Sequence, residues 1–144
     1  MSKKIAIAGD HAGFEYKTAL ISYLTDKGYQ VEDFGPHSKD SVDYPDFVHP
    51  AMKSIEEGKN DMGILICGSG NGVNMTANKH QGIRSALCWN TDLAALCRQH
   101  NNANVICFAE RFISYHYVQQ MAEIFLTTEF EGGRHENRVN KISC

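Results

Sequence analysis

The sequence predicts an α/β protein: a five-stranded parallel sheet with helices on both faces, three layers in all, followed by a C-terminal helix. Three observations predict it. Short apolar segments alternate with helical periodicities five times along the chain, and connections of helical length imply parallel strands joined by right-handed crossovers. The clearest strands are apolar throughout, as strands buried on both faces are. Polar or glycine-rich clusters follow the strands, where open parallel sheets bind ligands.

The elements follow in order. Lys3 to Ala8 is a short apolar strand that stops at Gly9-Asp10-His11. Phe14 to Lys27 turns helical, with Leu20, Ile21 and Leu24 on one stripe and Gly28 as its stop. Tyr29 to Phe34 is a weaker strand, and Gly35 to Asp46 a loop. Val48 to Glu57 suits a helix with Pro50 in its first turn, ended by Gly58. Met62 to Cys67 is continuously apolar and broken sharply by Gly68-Ser69-Gly70-Asn71-Gly72, before a short helix from Val73 to Lys79. Ile83 to Cys88 is a fourth strand, and Asn90 or Thr91 caps a helix with the stripe Leu93, Leu96 and Cys97. Asn104 to Phe108 is the fifth strand. Ser114 precedes a helix with Val118, Met121, Ala122 and Phe125 on one face, and a last helix runs from Arg134 to Ile142.

Length and composition narrow the function. The 144 residues suit one domain, 1–144, with a single core. A net charge of −3 argues against a nucleic-acid scaffold or an anionic membrane surface, so a bound anion must be met by a few local Lys or Arg residues. No apolar run reaches the ~20 residues of a membrane span, and Ile5 to Gly9 is too short for a signal peptide's apolar region. Five cysteines without a C-x-x-C pair predict free thiols in a reducing cytoplasm. The scattered histidines and cysteines show no metal-ligand spacing, so no metal is expected.

The glycine turn carries the most chemistry. Three glycines in the five residues Gly68 to Gly72 let backbone pass close to a ligand, and unpaired N–H groups at the following helix start attract an anion. A tight turn serving packing alone is the alternative. The spacing is not the dinucleotide fingerprint, because Val73 stands where the third glycine belongs and the turn follows the third strand. Cys67 sits just before those N–H groups. Thiols at helix N-termini ionise more readily than free cysteine, as a base at cellular pH requires. Cys88, Cys97 and Cys107 fall on strand or helix stripes and read as buried structural thiols. His100, in the polar run His100-Asn101-Asn102, is either a satisfied core histidine or a general acid or base. Asp10-His11, Asn90 and Glu110-Arg111 lie at strand ends and predict one convergent site. Arg134 and Arg138 share a helical face, either solvated or holding a phosphate between two guanidinium forks.

Gly9-Asp10-His11-Ala12-Gly13-Phe14, Asp43-Tyr44-Pro45, Cys67-Gly68-Ser69-Gly70-Asn71-Gly72, Arg98-Gln99-His100-Asn101 and Gly132-Gly133-Arg134-His135-Glu136-Asn137-Arg138 together closely resemble the ribose and galactose phosphate isomerases, over essentially the whole chain. The resemblance implies a Rossmann-like sheet, an aldose–ketose isomerase acting on D-ribose 5-phosphate, and no metal or organic cofactor. It implies Cys67 as the base at the sugar carbon beside the carbonyl, with the N–H groups of Gly68, Ser69, Gly70, Asn71 and Gly72 steadying the enediolate. Asp10 and His100 open the furanose ring, His100 as proton donor. His11, Tyr44, Asn101 and Arg111 line the sugar, and Arg134 and Arg138 hold the phosphate. A homodimer or dimer of dimers with shared active sites is implied as well. Some members carry a Glu base directly after the turn; Val73 here leaves the role to Cys67, and Ser69 replaces a threonine while keeping its hydroxyl. A hexose 6-phosphate such as allose or galactose 6-phosphate is the alternative substrate, and a flavodoxin-like binding module the alternative outside enzymes.

Overall fold

Burial on both faces decides the architecture. In the computed structural model, which describes residues 3–144, five strands form one parallel sheet in the order β2-β1-β3-β5-β4. They are β1 (Lys4–Gly9), β2 (Gln30–Asp33), β3 (Met62–Cys67), β4 (Ser85–Leu87) and β5 (Val105–Ala109). The helices are α1 (Phe14–Asp26), α2 (Pro45–Glu56), α3 (Asn71–Ala77), α4 (Thr91–Gln99), α5 (Tyr115–Thr127) and α6 (Arg134–Val139). Every residue of β3 and β5 is buried, while the edge strand β2 has none buried. Alternate side chains divide the core between the two faces. Ile5, Ile7, Ile64, Ile66, Ile106 and Phe108 pack with α1, α4 and α5, whereas Ala6, Ala8, Leu65, Cys67, Val105 and Cys107 pack with α2 and α3. This is the predicted three-layer α/β fold. Among the described residues no helix is long and apolar enough to cross a membrane.

The strand order has a functional corollary. The chain passes from β1 outward to β2, then returns across β1 to β3. The reversal opens a crevice between the carboxyl ends of β1 and β3, where ligands of such sheets bind. Gly9, the last residue of β1, pairs with Ile66, one residue before Cys67.

Several helices depart from the expected boundaries or packing. Helix α2 starts at Pro45, so Pro50 lies in its interior and not in its first turn. Pro45 supplies the preset first position, and the face of Val48, Ala51 and Met52 holds the helix on the sheet despite the missing N–H at Pro50. Helix α4 buries Ala94, Cys97 and Arg98, while Leu96 is partly exposed. The Arg98 guanidinium is satisfied there by Thr128 O (3.0 Å), Asn102 Oδ1 (2.9 Å) and Ala103 O. A stripe read from apolar residues alone misses a buried arginine held by hydrogen bonds through its Nε and Nη1. The last helix is also shorter than expected, ending at Val139 in turn-type bonds through Ile142.

Lys17, on α1, is 1 % exposed, and its Nζ donates to both carboxylate oxygens of Asp33 at 2.9 Å. Asp33 also accepts the Gly35 N–H at 2.9 Å, so the pair pins the end of β2 to α1. Lys17→Ala leaves the carboxylate without its counter-ion. Because Asp33 keeps some contact with water, the loss should fall near the low end for a broken buried pair, about 3 kcal/mol. Urea unfolding measures it, and a shift below about 1 kcal/mol, the scale of an exposed pair, would mean that water replaces the ammonium.

Candidate active site

At the carboxyl edge of the sheet, the ladder continues past the end of β3. Asp10 N–H donates to Ile66 O (3.3 Å), Glu110 N–H to Cys67 O (2.9 Å) and Arg111 N–H to Gly68 O (3.1 Å). The loops after β1 and β5 are thereby held against the glycine turn. Between them lies a cavity of about 290 Å³ lined by Asp10, His11, Ala12, Tyr44, Cys67, Gly68, Ser69, Gly72 and Arg111. A second, more open concavity of about 640 Å³ shares Asp10, His11, Tyr44 and Arg111 with it and extends along Val42 to Asp46.

Each side chain has a local reason for its position. Asp10 Oδ1 accepts the N–H groups of Ala12 (2.9 Å) and Gly13 (3.2 Å), an Asx turn that fixes the carboxylate at the start of α1. His11 Nδ1 accepts the Val42 N–H (3.2 Å), so the neutral ring carries its proton on Nε2. Tyr44 precedes Pro45 as the N-cap of α2. Cys67 is 5 % exposed, on the face covered by α2 and α3, with its residue lining the cavity. Arg111 crosses Gly68, where a Cβ would lie 3.0 Å from its Nε.

Two glycines of the turn are dictated by geometry. Gly70 has φ +75°, and a Cβ there would meet the Phe108 carbonyl at 3.2 Å. At Gly72 a Cβ would run into the Tyr44 ring, 2.6 Å from its Oη. Helix α3 then begins at Asn71, whose N–H donates to Ser69 Oγ (3.3 Å). The remaining N–H groups of a first helical turn have no intrahelical partner. Gly70 and Asn71 shape the turn without lining the cavity, and Asn90 is spent on capping α4 through the Leu93 N–H (2.8 Å), away from the site that strand-end position alone predicts for it.

The other expected site residues lie at the opposite edge. Helix α4 runs back from the carboxyl to the amino edge of the sheet, about 13 Å for nine residues. It delivers His100 there as its C-cap, with the side chain 41 % exposed, which removes the core-histidine alternative. Helix α5 makes the same journey, and α6 follows it. His100 stacks on His135 (ring centroids 4.2 Å apart, 14° between planes), and Glu131 Oε1 lies 3.9 Å from His100 Nε2 and 3.5 Å from His135 Nε2. Desolvation, then the neighbouring His100 and Arg134, lower the His135 pKa from its ordinary value. Arg134 and Arg138 are exposed on α6 beside this pair. Asn101 instead lines a concavity of about 380 Å³ with Asn78, Arg84 and Ile142, and its carbonyl accepts from Arg84 Nε (3.2 Å). Within one chain, His100, Asn101, Arg134 and Arg138 therefore do not join the cavity that holds Cys67. The histidine–glutamate cluster has no signature in the order of the residues beyond the four-residue step from Glu131 to His135.

Of the other four thiols three are buried structural residues and Cys144 is exposed. Cys88, Cys97 and Cys107 are buried; its partner Cys97 and burial push the Cys88 thiol pKa up, and burial above all pushes that of Cys107 up.

Similarity to known proteins extends over almost the whole chain. The profile of the Ribose/Galactose Isomerase family matches residues 5–142. The ribose-5-phosphate isomerase B of Escherichia coli is 38 % identical over 142 residues, covering 99 % of this chain and 95 % of that one. The crystal structure of a ribose 5-phosphate isomerase from Thermotoga maritima superposes with a TM-score of 0.97 at 47 % identity, covering 99 % of both chains. That of ribose-5-phosphate isomerase B from Mycoplasma genitalium with bound ribulose-5-phosphate superposes with a TM-score of 0.94 at 42 % identity, covering 99 % of this chain and 95 % of that one. The chain belongs to the ribose/galactose isomerase family and is an aldose–ketose isomerase.

The contact between Gly72 and Tyr44 can be tested directly. Gly72→Ala forces the ring out of its place, an overpacking expected to cost about 1–3 kcal/mol. The double change Gly72→Ala/Tyr44→Leu should recover part of the loss, read from urea midpoints. Equal midpoints for Gly72→Ala and the parent protein would show that the ring is free to move.

Proposed function

We propose that the protein interconverts D-ribose 5-phosphate and D-ribulose 5-phosphate, with Cys67 as the base, and serves the pentose phosphate pathway of the cytoplasm. The observation that carries this reading is the single cavity that gathers Cys67, Asp10, His11, Tyr44, Ser69 and Arg111 at the topological switch point, in a chain alike throughout to one solved with ribulose-5-phosphate. Free, unspaced cysteines support the reducing compartment.

In the proposed mechanism the Cys67 thiolate removes the proton on C2 of the open-chain aldose. The electron pair moves to the C1–C2 bond and the carbonyl oxygen becomes an enediolate oxygen. N–H groups of the turn from Gly68 to Gly72 stabilise that oxygen as charge develops. The same thiol returns its proton to C1, and the hydroxyl proton passes from O2 to O1, which completes the ketose. Ser69 holds the turn through its bond to Asn71. Asp10 accepts the ring hydroxyl's proton during ring opening, and His100 donates one to the ring oxygen. His11, Tyr44, Asn101 and Arg111 meet the sugar hydroxyls.

His100, Asn101, Arg134 and Arg138 reach a substrate beside Cys67 only from another copy of the chain. We therefore infer a homodimer, or a dimer of dimers, in which the amino edge of one subunit closes the carboxyl edge of its partner. Trp89 and Phe112, exposed by 61 % and 76 % next to the strand ends, support such an interface. No metal or organic cofactor enters this scheme.

A hexose 6-phosphate is the second reading, favoured by the open concavity of about 640 Å³ that continues the site. The ratio of kcat/KM values for ribose, allose and galactose phosphates decides between them.

Cys67→Ala should lower kcat by about 10²–10⁴-fold, the range for losing a general acid or base, while the variant still folds, with no effect of EDTA on the parent enzyme. Full turnover in this variant would remove Cys67 from the role. Mixing Cys67→Ala with His100→Ala subunits after co-refolding should restore about one quarter of the parent activity, because random pairing makes half the dimers mixed and each carries one complete site. No recovery in mixed dimers shown by native mass spectrometry would sink the shared site.

A further inference from the structure

The stacked histidines and Glu131 stand apart from the cavity and are not exhausted by proton donation. His100 Nε2 or Nδ1, a His135 ring nitrogen and a Glu131 oxygen lie within 4.8 Å of one another. Two imidazole nitrogens and one carboxylate oxygen, from two half-buried histidines and an exposed glutamate in the single chain, are the donor set of three-ligand zinc sites. The set discriminates against calcium and magnesium, which take oxygen ligands.

The geometry is close to what a cation needs. Tetrahedral bonds of ~2.0–2.1 Å place ligand atoms about 3.3–3.5 Å apart. Glu131 Oε1 and His135 Nε2 are already at 3.5 Å, and His100 Nε2 needs to approach Glu131 by only a few tenths of an ångström. Stacked at 14°, the two rings aim their lone pairs side by side, so one ring must swing about its χ angles; His100, 41 % exposed, has the room. Three backbone fixtures hold the ligands near one another. His100 caps α4 through Leu96 O (2.8 Å), Glu131 N–H donates to Gln99 O (3.0 Å), and His135 N–H donates to Gly132 O (3.1 Å) at the start of α6. Arg134 and Arg138 oppose a cation and set an upper bound on affinity.

We propose that His100, Glu131 and His135 bind one divalent transition cation of the zinc class, and that its occupation withdraws His100 from the substrate and inhibits the isomerase. The inhibitory half rests on the role of His100 proposed above; the binding half does not.

The test uses the purified full chain, freed of metal. Titration with Co²⁺, followed by visible absorption, should give one tetrahedral site per chain, which Zn²⁺ displaces. Glu131→Gln, which keeps the side chain's shape, and His135→Ala should each weaken binding by at least ~10-fold, with circular dichroism showing the fold intact. Absence of saturable binding, or undiminished binding in the Glu131→Gln/His135→Ala double variant, overturns the site. Turnover should fall along the same Zn²⁺ occupancy curve and return with EDTA. Binding without inhibition overturns the withdrawal of His100 and leaves the Cys67 experiments to judge the mechanism separately. Inhibition of the double variant at the same Zn²⁺ concentration, relative to its own uninhibited rate, would assign the effect to the Cys67 thiol and overturn the proposal.

Discussion

Three carbonyls at the end of β3 hold the candidate site together. Ile66, Cys67 and Gly68 accept N–H groups from Asp10, Glu110 and Arg111 in turn, so the hydrogen-bond ladder outlasts the strand it belongs to. Parallel register does the rest. Once Gly9 pairs with Ile66 and Ala109 with Cys67, a carboxylate, a thiol and a guanidinium from distant parts of the sequence must meet at one edge. No side chain of the site has to find the others; the sheet delivers them. Slippage of either neighbour by one residue would turn its side chains to the other face, which ties the integrity of the site to that of the central sheet.

The pleat assigns a second task. Ile64 and Ile66 face α1, α4 and α5, so Leu65 and Cys67 face α2 and α3. Cys67 is thus both the last core residue of one face and the first residue of the cavity. The turn beyond it is shaped by what crowds it: the Phe108 backbone against Gly70 and the Tyr44 ring against Gly72. Packing and chemistry constrain the same few atoms there.

Much of this was legible in the sequence where burial is two-sided. Met62 to Cys67 was bounded to the residue because a wholly buried strand is apolar throughout and a glycine turn ends it. Of the two expected caps of α4, Asn90 and Thr91, it is Asn90 whose side chain answers a local N–H, and Ser114, expected only to precede α5, caps it in the same way. The edge strands blurred, since β2 and β4 bury too little to leave a strong pattern. The start of α2 was missed because a proline at the sixth helical position outweighs Pro45 in a local reading. The face of α4 was missed because Arg98 is buried by virtue of partners remote in sequence. Residue order alone named most cavity residues, yet could not separate them from the expected site residues at the opposite edge, because that division depends on which way each helix runs. The pairing of His100 with Glu131 and His135 was invisible for the same reason.

Helix α4 is capped at one edge of the sheet and carries His100 to the other. On the reading proposed here, folding then completes a scaffold and only association completes a catalyst. Dilution would silence such an enzyme without unfolding any part of it, and heating would show two thresholds, loss of turnover preceding loss of helix. Selection on either edge would act through the neighbouring molecule, so a change harmful in its own subunit could be masked wherever two different alleles are expressed together.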